Sequence, residues 1–184
     1  MIYGKRVRLR AIEREDLPRF VTWLNDPEVR QHLQMYQPLS MPQEEEWFKS
    51  TLQRPLDEQP LVIEVKVADG WQAIGNICLF DINHGDRSAE VGIVIGEKSF
   101  WNQGYGSEAM RLMLKHGFED VNLNRIFLRV YETNPRGQHA YAKAGFVLEG
   151  RMRQARYLQG RYIDVLLMSA LRSEWKYENS SEGE

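Results

Sequence analysis

The sequence predicts a mixed α/β fold: a mostly antiparallel central sheet with one parallel β-α-β crossover, flanked by helices. Three observations lead there. After a short strand near the start the apolar pattern is helical up to about residue 53, and it alternates with period two from residue 61. Three alternating runs then follow one another across short turns, as in an antiparallel meander. The run ending at Ile95 is joined to the run starting at Arg125 by a helix-length segment, and that crossover makes the pair parallel.

Each element has a local reason. Residues 6–11 read as a strand with Val7, Leu9 and Ala11 on one face. Asp16 is a candidate N-cap with Pro18 in the first turn, and Phe20, Val21 and Leu24 form the apolar stripe of the helix that follows. Asn25, Asp26 and Pro27 break it and start a second short helix over 27–33. A loop containing Pro38 leads to a helix over 42–53, whose Glu44, Glu45 and Glu46 lie near the positive end of the dipole. Strands follow over 61–68, 71–82 and 88–95, turned at Asp69-Gly70 and at His84-Gly85-Asp86. Then come a helix over 104–118, a strand over 125–131 and a helix over 135–144 that Gly145 terminates. A closing hairpin over 146–157 and 161–171 turns at Gln159-Gly160. One domain is expected over 1–175, and the polar, Ser- and Glu-rich stretch 176–184 is expected to be a disordered tail.

Bulk properties exclude several classes. A net charge of −2 over 184 residues offers no basic field for nucleic acid. No run approaches the ~18 apolar residues of a membrane span. The single cysteine, Cys78, excludes an internal disulfide and sits in an alternating run as a structural thiol. A reducing cytoplasm fits best. His32, His84, His116 and His139 are not spaced as metal ligands, so no metal is expected.

The most informative stretch runs from Ser99 to Met110. It carries the strand 91–95 through Gly104 and Gly106 into a helix. The first amides of that helix lack partners within it and carry the positive dipole end, which makes a seat for a phosphate or pyrophosphate. Such a turn alone is a weak signal.

Three segments together resemble the GNAT superfamily of acyl-CoA-dependent N-acetyltransferases. Trp101-Asn102-Gln103-Gly104-Tyr105-Gly106 is similar to the family's pyrophosphate loop. The stretch from Asn134 to Phe146, with Tyr141, Lys143 and Gly145, is similar to the family's Asn…Tyr-x-Lys-x-Gly-Phe segment. The hairpin from Val147 to Met168 is similar to the ribosomal-protein and spermidine acetyltransferase branch, and Ile82 to His84 and Ala89-Glu90 resemble the spermidine enzymes. Trp101 departs from the usual Arg or Gln at the loop's first position, which leaves more of the diphosphate to backbone amides.

The resemblance implies acetyl-CoA as co-substrate and acetyl transfer to an amine by direct attack in a ternary complex. Trp101, Asn102, Gln103, Gly104, Tyr105, Gly106 and Ser107 would hold the diphosphate, with the Ser107 hydroxyl adding a bond. Gly92, Ile93, Val94 and Ile95 would pair with the pantetheine backbone to backbone. Tyr141 is the candidate acid for the leaving sulfur, against a reading as a core tyrosine. Asn134 is a helix N-cap, a cofactor ligand, or both. Glu90 is the first candidate base, against a strand charge paired with Arg87 or Arg125, and Glu132 is the second. Asp26, Glu28 and residues 44–46 make the expected acceptor side acidic, which would draw a cationic amine or a peptide N-terminus. A homodimer through sheet edges is compatible with the family. A non-catalytic acyl-CoA-binding module is the alternative, and a nucleotide-binding α/β protein is weaker because no lysine follows the glycines.

Overall fold

The computed structural model describes residues 1–176; apart from Lys176, the expected tail lies outside the described residues. One sheet of eight strands spans the chain in the order β1-β2-β3-β4-β5-β6-β8-β7. The strands are β1 Ile2–Tyr3, β2 Val7–Ala11, β3 Leu61–Val67, β4 Gly70–Asn83, β5 Ser88–Ile95, β6 Arg125–Tyr131, β7 Val147–Leu158 and β8 Arg161–Leu171. Every pairing is antiparallel except β5 with β6. The helices are α1 Leu17–Asn25, α2 Pro27–Arg30, α3 Met41–Thr51, α4 Tyr105–Glu119 and α5 Pro135–Ala144.

Alternation along the strands divides the core in two. Val7, Leu9, Ile63, Val65, Ala89 and Val91 pack with Met110, Leu114 and Phe118 of α4. On the opposite face Val62 and Ala73 pack with Phe20 and Trp23 of α1, Val29 of α2 and Phe48 of α3. Both faces are thus covered, as a sheet with apolar residues on both sides requires.

The structure corrects several details. Ala11 is exposed, so only Val7 and Leu9 carry the buried face of β2. The buried stripe of α1 is Leu17, Phe20 and Trp23, while Val21 and Leu24 are half-buried. Gln31 to Leu33 leave the helical path, and Leu33 N–H donates to the Arg30 carbonyl in a tighter turn. Asp16 does not cap α1 with its side chain. Its carboxylate accepts the Glu13 N–H at 2.9 Å and two Arg10 bonds at 2.7 Å. Burial opposes its ionisation, but Arg10 outweighs that and holds the carboxyl below its ordinary range. Arg10 also reaches Glu64, which binds Arg8, so a buried charge chain ties β2 and β3 to the start of α1.

Glu44 in the first turn of α3 is 3% exposed. Burial pushes its carboxyl up to about 7 from 4.5. Within that window the folded chain holds a proton that the unfolded chain releases, so stability falls as pH rises through it. Glu44→Gln removes this dependence. Urea unfolding should find the variant more stable than the parent by up to about 3 kcal/mol above about pH 8, with little difference near pH 4. A gap independent of pH would contradict the assignment.

Candidate active site

The site begins where two strands part. β5 and β6 pair only at Ser88, Ala89 and Glu90, opposite Arg125, Ile126 and Phe127. Beyond that rung β5 still pairs with β4 as far as Ile95, and β6 still pairs with β8 as far as Tyr131. The facing edges of 91–95 and 128–131 are therefore unpaired with each other. A cavity of about 320 Å³ opens there, between the end of β5, the 100–107 turn and α5.

The turn is built to leave amides free. Gly104 precedes α4 at φ 84°, a left-handed conformation that favours glycine. The first amide donor used inside the helix is Glu108 N–H, to the Gly104 carbonyl, so those of Tyr105, Gly106 and Ser107 face out at the positive dipole end. Glu108 anchors the turn from behind. Its carboxylate accepts the Arg6 N–H at 2.7 Å and the Val7 N–H at 3.1 Å, and pairs with the Arg6 guanidinium at 3.1 Å. Arg6 in turn donates to the Gln103 carbonyl and lies 4.7 Å from the Tyr105 ring centre.

The expected residues divide on inspection. Ile93, Val94, Ile95, Trp101, Asn102, Gly104, Tyr105, Gly106, Ser107, Asn134 and Tyr141 line the cavity, whereas Gly92, Gln103 and Glu90 do not. The Gln103 amide donates to the Ser99 carbonyl at 2.6 Å. The Trp101 indole donates to the Ile95 carbonyl at 2.8 Å, so the open edge of β5 ends there. The Ser107 hydroxyl donates to the Ala140 carbonyl at 3.1 Å, joining α4 to α5 rather than pointing a proton at a ligand. Asn134 caps α5: its side-chain oxygen accepts the Gly137 N–H at 2.9 Å, and a Cβ at Gly137 would stand 2.6 Å from the Asn134 amide nitrogen. The cap reading is thus realised, and Asn134 still faces the cavity.

Tyr141 packs against Phe146 and lines the cavity. Burial pushes its phenol up to about 12, with Arg136 opposing, so the hydroxyl keeps its proton at any ordinary pH. His32 stands in the same cavity with a buried Nδ1 that has no hydrogen-bond partner. Burial, then the charge of Arg136, lowers its pKa, which favours the neutral ring. Arg136 lies 3.6 Å from the Trp101 ring centre. Its guanidinium brings to the loop's first position the cation that Trp101 lacks. Sequence reasoning passed over Arg136, although Arg136, His139 and Lys143 recur at the i, i+3, i+7 spacing of one face of α5 and all line the cavity.

The base candidates stand differently. Glu90 is 6% exposed and is gripped by Arg129 at 2.9 and 2.5 Å, not by Arg87 or Arg125. Glu132 accepts from Asp164 N–H and from Arg151. The acidic wall is also compensated: Lys98 holds Asp26 at 2.7 Å and Glu28 at 2.5 Å, and Glu44 is buried. Burial pushes the Cys78 thiol up to about 11, which leaves it a poor nucleophile.

Comparisons with known proteins agree with this geometry. The GNAT acetyltransferase domain model matches residues 6–147. A spermidine N(1)-acetyltransferase of Vibrio cholerae is 32% identical over 180 residues, covering 97% of this chain and 99% of the relative. The crystal structure of spermidine N-acetyltransferase from Vibrio cholerae in complex with CoA and spermine superposes with a TM-score of 0.83 at 30% identity, covering 93% of this chain and 98% of that one. A ribosomal-protein-serine acetyltransferase of Escherichia coli is 30% identical over 100 residues, 54% of this chain and 55% of the relative. The parted strands, the free amides at the head of α4 and the match over residues 6–147 give one conclusion: the chain belongs to the GNAT family and is an acetyl-CoA-dependent N-acetyltransferase acting on an amine.

Proposed function

We propose that the cavity carries out direct acetyl transfer in a ternary complex, with Tyr141 as the acid. The observation that carries this reading is the cavity itself: the unpaired edge of β5, the free amides of α4 and a phenol held in its protonated form all open onto one space. Acetyl-CoA supplies the activated acyl carbon. The amides of Tyr105, Gly106 and Ser107 hold its diphosphate, and Arg136 adds a charge-assisted contact from across the cavity. The backbone of Ile93 and Val94 extends the sheet to the pantetheine. The amine nitrogen bonds to the acetyl carbon, the carbon–sulfur bond breaks, and Tyr141 gives its proton to the leaving sulfur.

The amine must also lose a proton. Glu90 was the first candidate, but its carboxylate is bound on both oxygens by Arg129 and lies off the cavity wall. The neutral His32 ring, with a free buried nitrogen, is better placed to take that proton directly or through a water. Glu90 then serves as the tie across the β5/β6 fork. The acceptor is a small amine or a protein N-terminus, as the relatives' names suggest, and the compartment is the cytoplasm. Two copies associate along the outer edge of β7, where Val147, Leu148 and Tyr157 are exposed on a strand that pairs with β8 on one side only.

Thiol release with saturating acetyl-CoA tests the chemistry. Tyr141→Phe should lower kcat by about 100-fold or more while the CoA Kd moves less than about threefold. His32→Gln should lower kcat by at least about tenfold and flatten the acid limb of the pH profile. Glu90→Gln should instead lower the melting temperature. If Glu90→Gln abolishes turnover in a protein that melts normally, the base assignment reverts to Glu90.

Arg136→Ala should weaken CoA binding about tenfold by calorimetry, with dephospho-CoA and CoA affected alike. An unchanged Kd would remove Arg136 from the cofactor site. Sedimentation should give a dimer that Leu148→Lys dissociates; a monomeric parent would refute the edge assignment.

A further inference from the structure

At the carboxyl end of β6 lies a polar cluster that the transfer reaction does not use. Arg156 of β7 has its Nε and Nη2 buried without a hydrogen-bond partner. No ion pair is found for it among the described residues. Thr133 Oγ1 is likewise buried and unpartnered, and Tyr131 Oη is buried with Arg156 as a polar neighbour rather than in a hydrogen bond of ordinary geometry. The Arg156 guanidinium lies 4.7 Å from the ring centre of Tyr36 and 6.0 Å from that of Tyr131. Burial raises the Tyr131 pKa, and Arg156 works against that rise, first by its charge and then by a weak side-chain hydrogen bond to the phenol.

The position of Arg156 is fixed by the strand. The register of β7 shifts between Met152, opposite Val165, and Arg156, opposite Ile163. Gln154 within this bulge has φ 53°. The Asp164 carboxylate anchors the bulge, accepting the Gln154 N–H and an Arg151 bond, each at 2.8 Å. Arg151 is thereby compensated and Arg156 is not. None of the cluster's residues lines the cavity itself, but the chain joins the cluster to it twice. Thr133 precedes Asn134, and Tyr36 follows Leu33 by three residues, and both Asn134 and Leu33 line the cavity.

We propose that Arg156, Tyr131 and Thr133 form the recognition subsite for the acceptor, and that the acceptor is an amine carrying a carboxylate. Nε and Nη2 share one edge of the guanidinium, the fork that takes a carboxylate in two parallel bonds. The two hydroxyls can donate to its remaining lone pairs. A polyamine fits worse. Its second charge would meet uncompensated Arg156, while Asp26 and Glu28, which would attract it, are bound to Lys98. The proposal rests on the reading of the cavity as the transfer site, and deepens it by naming the substrate class.

The test uses two matched series on the full chain with acetyl-CoA. One is 4-aminobutyrate, butylamine and putrescine; the other is the C-terminally amidated dipeptides Ala-Glu, Ala-Gln and Ala-Lys, so that only the first of each series carries a carboxylate. The series that reacts tells a small amine from a peptide N-terminus. In it the carboxylate member should have a kcat/KM at least about tenfold above the other two, mostly through KM. Arg156→Met should bring the three within about threefold of one another, and Arg156→Lys should restore part of the preference. Calorimetry on the CoA-loaded parent, with the same probes, needs neither turnover nor a variant. It should rank the carboxylate probe tightest. Carboxylate binding without thiol release would sustain the subsite and count against the transfer reading. Tighter binding of putrescine or Ala-Lys, no binding of either carboxylate probe, or an undiminished preference in a folded Arg156→Met protein would each overturn it.

Discussion

Everything in this protein's chemistry depends on β5 and β6 ceasing to pair. Two parallel strands that shared a full ladder would leave no backbone groups for a ligand and no space for one. Here the ladder stops after Glu90 and Phe127, while each strand keeps its other neighbour. An unpaired strand edge inside a sheet is unfavourable unless something restores its hydrogen bonds. The fork must therefore be held open by packing around it, and a ligand can complete the edge without rearranging the sheet. The Glu90–Arg129 pair lies across the last paired rung and fixes where the fork starts. The Trp101 indole on the Ile95 carbonyl fixes where the open edge of β5 ends.

The electrostatics around the fork follow one pattern. Acidic groups near the cavity are matched by partners within the chain: Asp26 and Glu28 by Lys98, Glu90 by Arg129, Glu132 by Arg151. Arg136 instead faces the cavity, stacked on Trp101, and α5 adds Lys143 to the lining. A chain with net charge −2 thus turns a positive face to the cavity. Overall charge is a poor guide to the field inside a cleft, because salt bridges remove most of the acidic contribution locally.

Much of this fold could be read from the residues because its boundaries are punctuated. The strand over 88–95, the strand over 125–131 and the helix over 135–144 fall where expected. Asn134, Pro135 and Gly145 mark the ends of that helix with caps that have a physical reason. What stayed hidden were convergences between distant segments. Nothing local in residues 27–33 says that His32 will share a cavity with Tyr141. Nothing near Glu90 names Arg129 over Arg87 or Arg125, since all three are basic residues within reach of a strand reading. The sheet order was hidden too: β8 pairs with β6 and leaves β7 outside, although β7 comes first in the chain. The Trp101 departure was visible, but its compensation by Arg136 required the loop and α5 to be in place.

Burial sets the proposed acid and the proposed base of the cavity together. The same loss of solvent raises the pKa of a phenol and lowers that of an imidazole, because it disfavours whichever form is charged. Tyr141 is pushed up to about 12, and His32 is pushed below its ordinary value. Near neutral pH the first is thus a filled donor and the second an empty acceptor, the pairing that acyl transfer from a thioester to an amine requires. Arg136 influences both in the same sense, lowering each pKa. On Tyr141 it opposes burial and brings the phenol's proton nearer to transfer; on His32 it adds to burial and keeps the ring free to accept. In the proposed reaction the cation that meets the diphosphate therefore also tunes the proton donor and the proton acceptor, linking cofactor grip to proton transfer through one side chain.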